Sequence, residues 1–337
     1  MKHKIVSFGE VMMRLSPPGK QKIRQAVNLD ILFSGSEANV TAALCQWGME
    51  GLHVTRFPEN ELGQSALSAL RQRGINTRHI QMGGERLGLY FVEQGALSRP
   101  TTITYDRLPS AFSTVSKGMF NWDSILEGVD WFHWSGITPA LSPGAAEVLM
   151  EALNICKSKN IMVSGDINYR SGLWRYGKTP GEIMAPMLAL TQVVVASEND
   201  TRNIFGISAD GQKDPGFISI CRQMKARFPN IRYMITSPRE QLSATNNRLS
   251  GWLWNGNNFL ETRKYNIEQI VERIGSGDAF VAGFIYAALE QWNDQQKIEF
   301  ATASAVLKHS FEGDMMLSPV EQVLQLMEGD TGGRIVR

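Results

Sequence analysis

Apolar residues fall in short runs separated by stretches with helical spacing. Ile5 to Phe8 is a β-type run that stops at Gly9. Ala38 to Trp47, mostly small apolar residues, predicts a buried helix closed by Gly48. His53 to Phe57 predicts a strand, Leu62 to Arg73 a helix ended by Gly74, and Asn76 to Ile80 an approach to the next strand. The alternation returns further on. Strands are expected at Val129 to Trp134, Ile161 to Gly165, Gln192 to Ala196 and Arg232 to Thr236. Helices are expected at Gly144 to Lys157, Pro180 to Leu190, Ile218 to Phe228, Asp278 to Trp292, Gln296 to Lys308 and Val320 to Met327. Trp252 and Trp254 alternate around Leu253 as packing residues of a strand do.

Strands that alternate with helices imply right-handed βαβ units. The expected fold is therefore α/β, a doubly wound, mostly parallel sheet with helices on both faces. Ligands then bind at the carboxyl ends of the strands. One region breaks the rule. Gly88 to Val92 and Thr101 to Tyr105 are strand-like with no helix between them, so an antiparallel ribbon is expected. A ribbon outside the layer scheme suits a lid. The organisation expected is one domain, residues 1–337, with lid segments at about 11–34 and 85–113.

Composition narrows the class. The 337 residues carry a formal charge of +1, with 43% apolar and 20% charged residues. No strong field draws such a chain to nucleic acid or a membrane surface, so a small-molecule partner is expected. No stretch reaches the ~18 apolar residues that span a bilayer, and Met1 to Phe8 is too short for a secretory core. Cys45, Cys156 and Cys221 form neither a disulfide framework nor a CxxC pair, which suits a reducing cytoplasm. His133 lies in an apolar run and reads as a core histidine; His53, His79 and His309 lack ligand spacing.

The stretch richest in chemistry is Arg273-Ile274-Gly275-Ser276-Gly277-Asp278-Ala279-Phe280. Two glycines bracket a serine, then an acid, then a helix that is apolar nearly all round and hence buried. Its N-terminus offers free N–H groups and the positive end of the dipole to an anion. An acid there also makes an ordinary cap. The flanking glycines favour chemistry, because phosphoryl transfer to an alcohol needs anion donors and a base in one small volume. Gly275, Ser276 and Gly277 then supply N–H groups while Asp278 takes the alcohol proton. GxxxxGK[ST] is absent, and Phe280 stands where GxGxxG requires a glycine.

This segment resembles the C-terminal signature of the ribokinase (PfkB) carbohydrate kinases, whose GAGD-type turn holds the anion and whose Asp is the base. Ser34-Gly35-Ser36-Glu37-Ala38-Asn39 is similar to the family's sugar-cradling GGxxxN element. The resemblance spans essentially the whole chain. It implies ATP and Mg²⁺ as cofactors, Gly35 and Asn39 on the sugar, and Ser197, Thr236, Gly275, Gly277 and Lys308 on the nucleotide. Ser197-Glu198-Asn199-Asp200 stands where the family carries Asn-x-x-Glu, so Glu198 and Asp200 are the magnesium candidates, through water. Glu272-Arg273 replaces Asp-Thr before the anion hole, and Thr236-Ser237-Pro238-Arg239-Glu240 replaces a glycine-containing turn.

Within the family the chain is most similar to the 2-keto-3-deoxygluconate kinases. Gly88-Leu89-Tyr90, Thr104-Tyr105-Asp106-Arg107 and Asp166-Ile167-Asn168-Tyr169-Arg170 carry that likeness. The resemblance implies transfer from ATP to the primary hydroxyl of that sugar acid. A sugar acid carries a carboxylate, which Arg binds bidentately. Arg170 and Arg107 are the candidates, with Tyr90 and Tyr105 beside them. A fructokinase or ribokinase, or a non-catalytic sugar- or nucleotide-binding protein on the same scaffold, are the alternatives. Lids in this family often meet across a dimer, so a homodimer through the lid is expected.

Overall fold

The computed structural model describes residues 2–210 and 216–329. Eight strands form the main sheet, in the order Phe259–Glu261, Trp252–Trp254, Tyr233–Thr236, Val193–Val195, Met162–Asp166, Trp131–Ser135, Lys4–Phe8 and Glu50–Val54. The last six pair in parallel; the two tryptophan-side strands are antiparallel. Each side of the sheet carries its own apolar core. Phe8, Phe132, Leu149 and Val163 belong to one, and Ile5, Trp131, Val193, Phe280 and Phe300 to the other. The helices on both faces exist to cover these surfaces, as the alternation of apolar runs requires.

A smaller four-stranded sheet stands apart, in the order Asp30–Ser34, Met12–Ser16, Leu89–Glu93 and Thr102–Asp106. Its ribbon is antiparallel, with Tyr90 opposite Tyr105, as the missing helix predicts. This sheet is built from the two segments expected to form a lid. Its outer strand Thr102–Asp106 is exposed along its whole length.

Two features were not legible, and one helix has shifted ends. A helix spans Glu198–Phe205, where only a metal motif was expected. Its start is written in a capping box, Ser197 to Asp200. A second small sheet joins Arg239–Gln241, Asn247–Leu249 and Tyr265–Ile267. The helix expected over Asp278 to Trp292 runs Ser276–Leu289. His53 and His133 are buried and neutral, both held down to about 3 by desolvation. His53 Nδ1 pairs with Ser7 and His133 Nδ1 with Ser164, while His133 Nε2 has no partner among the described residues. No helix of the described residues is long and apolar enough to cross a membrane. All three cysteines are free.

Candidate active site

The helix Ser276–Leu289 begins at Gly275, whose φ of 83° is left-handed. A β-carbon there would meet the Asp314 carbonyl oxygen at 1.7 Å, so only glycine fits. Gly277 is different. Its β-carbon position faces open space, where a ligand can approach the backbone. Ser276 N–H donates to the Arg273 carbonyl and Ala279 N–H to the Gly275 carbonyl. The N–H groups of Gly277 and Asp278 have no backbone acceptor among the described residues, as expected in a first helical turn. These N–H groups are the ones open to an approaching anion.

Asp278 is half-buried at this helix start. Ser36 Oγ donates to its Oδ1 at 2.8 Å and Asn39 Nδ2 to its Oδ2 at 2.7 Å. Both donors sit in the first turns of the helix Ser36–Gln46, capped by Gly35. Gly35 is required because a β-carbon would meet the Glu10 carbonyl oxygen at 2.0 Å. Desolvation raises the Asp278 carboxyl to about 7, against the two hydrogen bonds that lower it. A carboxylate poised there is matched to proton abstraction near neutrality. Asn39 Oδ1 is buried with no partner among the described residues. It is an unsatisfied acceptor beside the base, and a ligand hydroxyl would satisfy it. Sequence reasoning found Asn39 but missed Ser36, whose signal was its place three residues before Asn39 on one helix face.

Behind the anion hole lies a network that the sequence did not reveal. Arg14, on a lid strand, donates to Asp314 and, at 2.5 Å, to Glu272 Oε2. Ser34 Oγ donates to Asp314 Oδ2 at 2.6 Å, and Tyr90 O–H donates to the same oxygen at 2.5 Å. Glu272 Oε1 accepts the N–H groups of Arg273 and Ile274, the residues leading into Gly275. The lid is thus pinned to the anion-hole loop. Arg14, Ser34 and Asp314 also line a cavity of about 640 Å³; Asp278, Asn39 and Gly277 do not.

The other expected site residues divide. Arg170 is exposed, and its Nη1 donates only to the Tyr169 carbonyl. Asn168, two residues earlier, has a φ of 39°, a left-handed conformation that Asn tolerates and functional turns often hold. Arg107 differs from expectation: it is buried, with Nε on Glu10 Oε2 at 2.5 Å, so its charge is already matched. Its terminal nitrogens have no hydrogen bond among the described residues. The Tyr90 hydroxyl is engaged by Asp314 and Ser34, so its ring rather than its oxygen is what it presents, stacked on Tyr105 with centroids 6.2 Å apart. Tyr105 is exposed.

On the nucleotide side, Thr236 ends the strand Tyr233–Thr236, half-buried. Lys308, expected at the nucleotide rim, is instead fully buried with Nζ on the Phe311 carbonyl at 3.3 Å. Burial holds its ammonium down to about 8. Ser197 and Asp200 have a structural role the sequence reading did not assign: Ser197 Oγ donates to Asp200 Oδ2 at 2.5 Å, and Asp200 Oδ1 accepts Tyr169 N–H.

The observation that bears on a metal is carboxylate crowding. Asp166 is raised to about 8, by burial first and then by Asp200 and Asp278. A cation between them would relieve that repulsion. Among the described residues no three metal-type side chains form a cage. The donors therefore fit an ion held by one or two carboxylates, water and phosphates, which is how Mg²⁺ is usually bound.

Comparison with known proteins agrees with this geometry. A crystal structure of 2-dehydro-3-deoxygluconokinase from Thermotoga maritima is 38% identical, covers 97% of this chain and 100% of its own, and superposes with a TM-score of 0.93. A 2-dehydro-3-deoxygalactonokinase from Haloferax volcanii is 28% identical over 333 residues, 99% of each chain. An E. coli structure in complex with ATP and Mg²⁺ shares the fold at a TM-score of 0.80 and 17% identity, covering 97% of this chain and 99% of its own. The model of the pfkB family carbohydrate kinases matches residues 2–319, and with the glycine-flanked Asp278 in place the chain belongs to that family.

Proposed function

We propose that this protein moves the γ-phosphoryl of ATP to the primary hydroxyl of 2-keto-3-deoxygluconate, giving 2-keto-3-deoxy-6-phosphogluconate. The observation that carries the reading is Asp278, held by Ser36 and Asn39 at a helix start whose Gly277 and Asp278 N–H groups are free. In this reading Asp278 takes the hydroxyl proton as the oxygen attacks phosphorus. The Gly275-Ser276-Gly277 turn receives the charge on the migrating group, a contribution of roughly 10²–10³ per donor. Asp200 and Glu198, with Asp166 nearby, would hold Mg²⁺ through water, and the ion would neutralise phosphate charge when bound. Lid closure excludes water.

The substrate's carboxylate falls to Arg170 before Arg107, because Arg170 is exposed and forms no direct ion pair among the described residues, its charge acting only at longer range on Asp166, whereas Arg107 is neutralised by Glu10. The relatives' names support a 2-keto-3-deoxy sugar acid and differ in its C4 configuration. A coupled ADP-release screen over sugar acids and neutral sugars tests this. The expected result is that keto-deoxy acids exceed fructose and ribose by at least tenfold in kcat/KM. Arg170→Ala should cost about 1.5–3 kcal/mol of sugar-acid recognition, the worth of a hydrogen bond to a charged group, and leave any neutral-sugar rate intact. Fructose as the better substrate of the unaltered protein would overturn the assignment.

The same proposal includes a homodimer through the lid, in a reducing cytoplasm. Ile31 and Ile103 on the lid's outer strands are 57% and 40% exposed. Apolar groups displayed on an edge strand invite pairing. Sedimentation should give a dimer, and Ile103→Glu a monomer; a monomeric unaltered protein at micromolar concentration contradicts it.

A further inference from the structure

The paired arginines of this chain have acids: Arg14 meets Glu272 and Asp314, Arg107 meets Glu10, Arg86 meets Asp106, and Arg248 meets Glu240. Two arginines beside the anion hole have none among the described residues. Arg239 opens the strand Arg239–Gln241, and its Nη2 donates to Ser276 Oγ at 2.6 Å. Arg273 lies three residues before Ser276. Its Nη2 donates to the Ser243 carbonyl and to Asn247 Oδ1, and its Nε is buried without a partner.

The surroundings sharpen the contrast. His309 is buried and neutral, held down to about 4 by desolvation first and then by the charge of Arg239. Lys308 is cationic and buried behind it. Glu272 and Asp314, which flank this turn, are paired with Arg14. Desolvation of the guanidinium, then the neighbouring Arg273, depresses Arg239 below its ordinary value, although the residue as a whole is exposed on its strand. Two neighbouring guanidinium groups without an acid among the described residues make this an electropositive edge. Arg239, placed on the serine between the two anion-hole glycines, is positioned to meet an anion at that turn.

We propose that Arg239 is a further catalytic residue, whose remaining guanidinium N–H groups contact the transferring phosphoryl at the Gly275–Gly277 turn. The proposal rests on the kinase reading above. Ser276 Oγ holds one end of the guanidinium, so the group is oriented before substrate arrives. In the step itself, the substrate oxygen forms a bond to the γ-phosphorus and passes its proton to Asp278. The bond from that phosphorus to the β–γ bridging oxygen breaks, and ADP leaves with the electron pair. Arg239 exchanges no bond. It stabilises the charge spread over the equatorial oxygens, the role an arginine finger has in other phosphoryl transfers. A planar guanidinium with five donors suits this better than an ammonium. Arg273, anchored to Ser243 and Asn247, keeps a second positive charge nearby.

The test uses Arg239→Met and Arg239→Lys with whichever sugar the unaltered protein phosphorylates best. Arg239→Met should lower kcat by about 10²–10³, with KM for the sugar and Kd for ADP within about threefold. Binding of ADP with aluminium fluoride and sugar, which mimics the planar phosphoryl, should weaken by a comparable factor. Arg239→Lys should recover part of the rate. A kcat within threefold of the unaltered protein, or a loss residing wholly in ADP affinity, overturns the proposal. Should Arg239→Met fail to fold, the same comparison on Arg239→Lys decides. A neutral sugar as best substrate would sink the sugar-acid reading while leaving this test intact; no phosphorylation of any sugar by the unaltered protein would sink both.

Discussion

Asp278→Asn should lower kcat by at least about 10², and up to about 10⁴, the range over which a positioned base contributes. The sugar's KM should change little, because Asn retains an oxygen for Ser36 or Asn39 and the anion donors are backbone groups. The residual rate reflects positioning and charge stabilisation, which do most of the work in phosphoryl transfer. The variant should also gain stability at pH 8. The folded carboxyl of Asp278 is raised to about 7 from an ordinary 3.8, so the ionised group costs stability above pH 7. That cost fades as pH falls through 7 and is gone below the unfolded value. Asn carries no charge, so its advantage should be largest at pH 8 and smaller at pH 5. Thermal melts at the two pH values check the sign. Full kcat in the variant would remove Asp278 from the chemistry.

The second large effect belongs to Arg14. Its side chain and those of Glu272 and Asp314 are each 2% exposed. Burial alone would lower the guanidinium, yet Asp314 and Glu272 outweigh it and hold Arg14 above its ordinary value. Arg14→Met leaves two buried carboxylates without a cation. Breaking a buried pair on one side costs about 3–5 kcal/mol, and chemical denaturation should show a loss of that order. Because Glu272 holds the N–H groups of Arg273 and Ile274, kcat should fall too. A variant within 1 kcal/mol of the unaltered protein in stability would mean the network is not what fastens lid to loop.

Much of this was readable from residue order, for physical reasons. Periodicity located the helices because an apolar stripe has to be buried somewhere, and the ribbon stood out because no helix separates its strands. The anion hole was readable because its whole chemistry is local, six residues from Arg273 to Asp278. Long-range pairs were not. Arg14 and Asp314 are 300 residues apart, and nothing in either neighbourhood announces the other. Asp200 reads as a metal candidate because it stands where the family's Asn-x-x-Glu element carries its acid; its place three residues after Ser197 equally spells a capping box, which the structure forms. Lys308 read as a nucleotide contact, and its burial was not legible because burial of a lysine depends on the fold around it rather than on its neighbours in the chain.

The pH dependence of kcat/KM tests the role of Asp278 most directly. With the base raised to about 7, the rate should climb about tenfold per unit from pH 5 and level off just above neutrality. Asp278→Asn should lack that limb. A profile flat from pH 8 down to pH 5 would mean that the titrating group is an ordinary carboxylate or none, and that the alcohol is activated some other way.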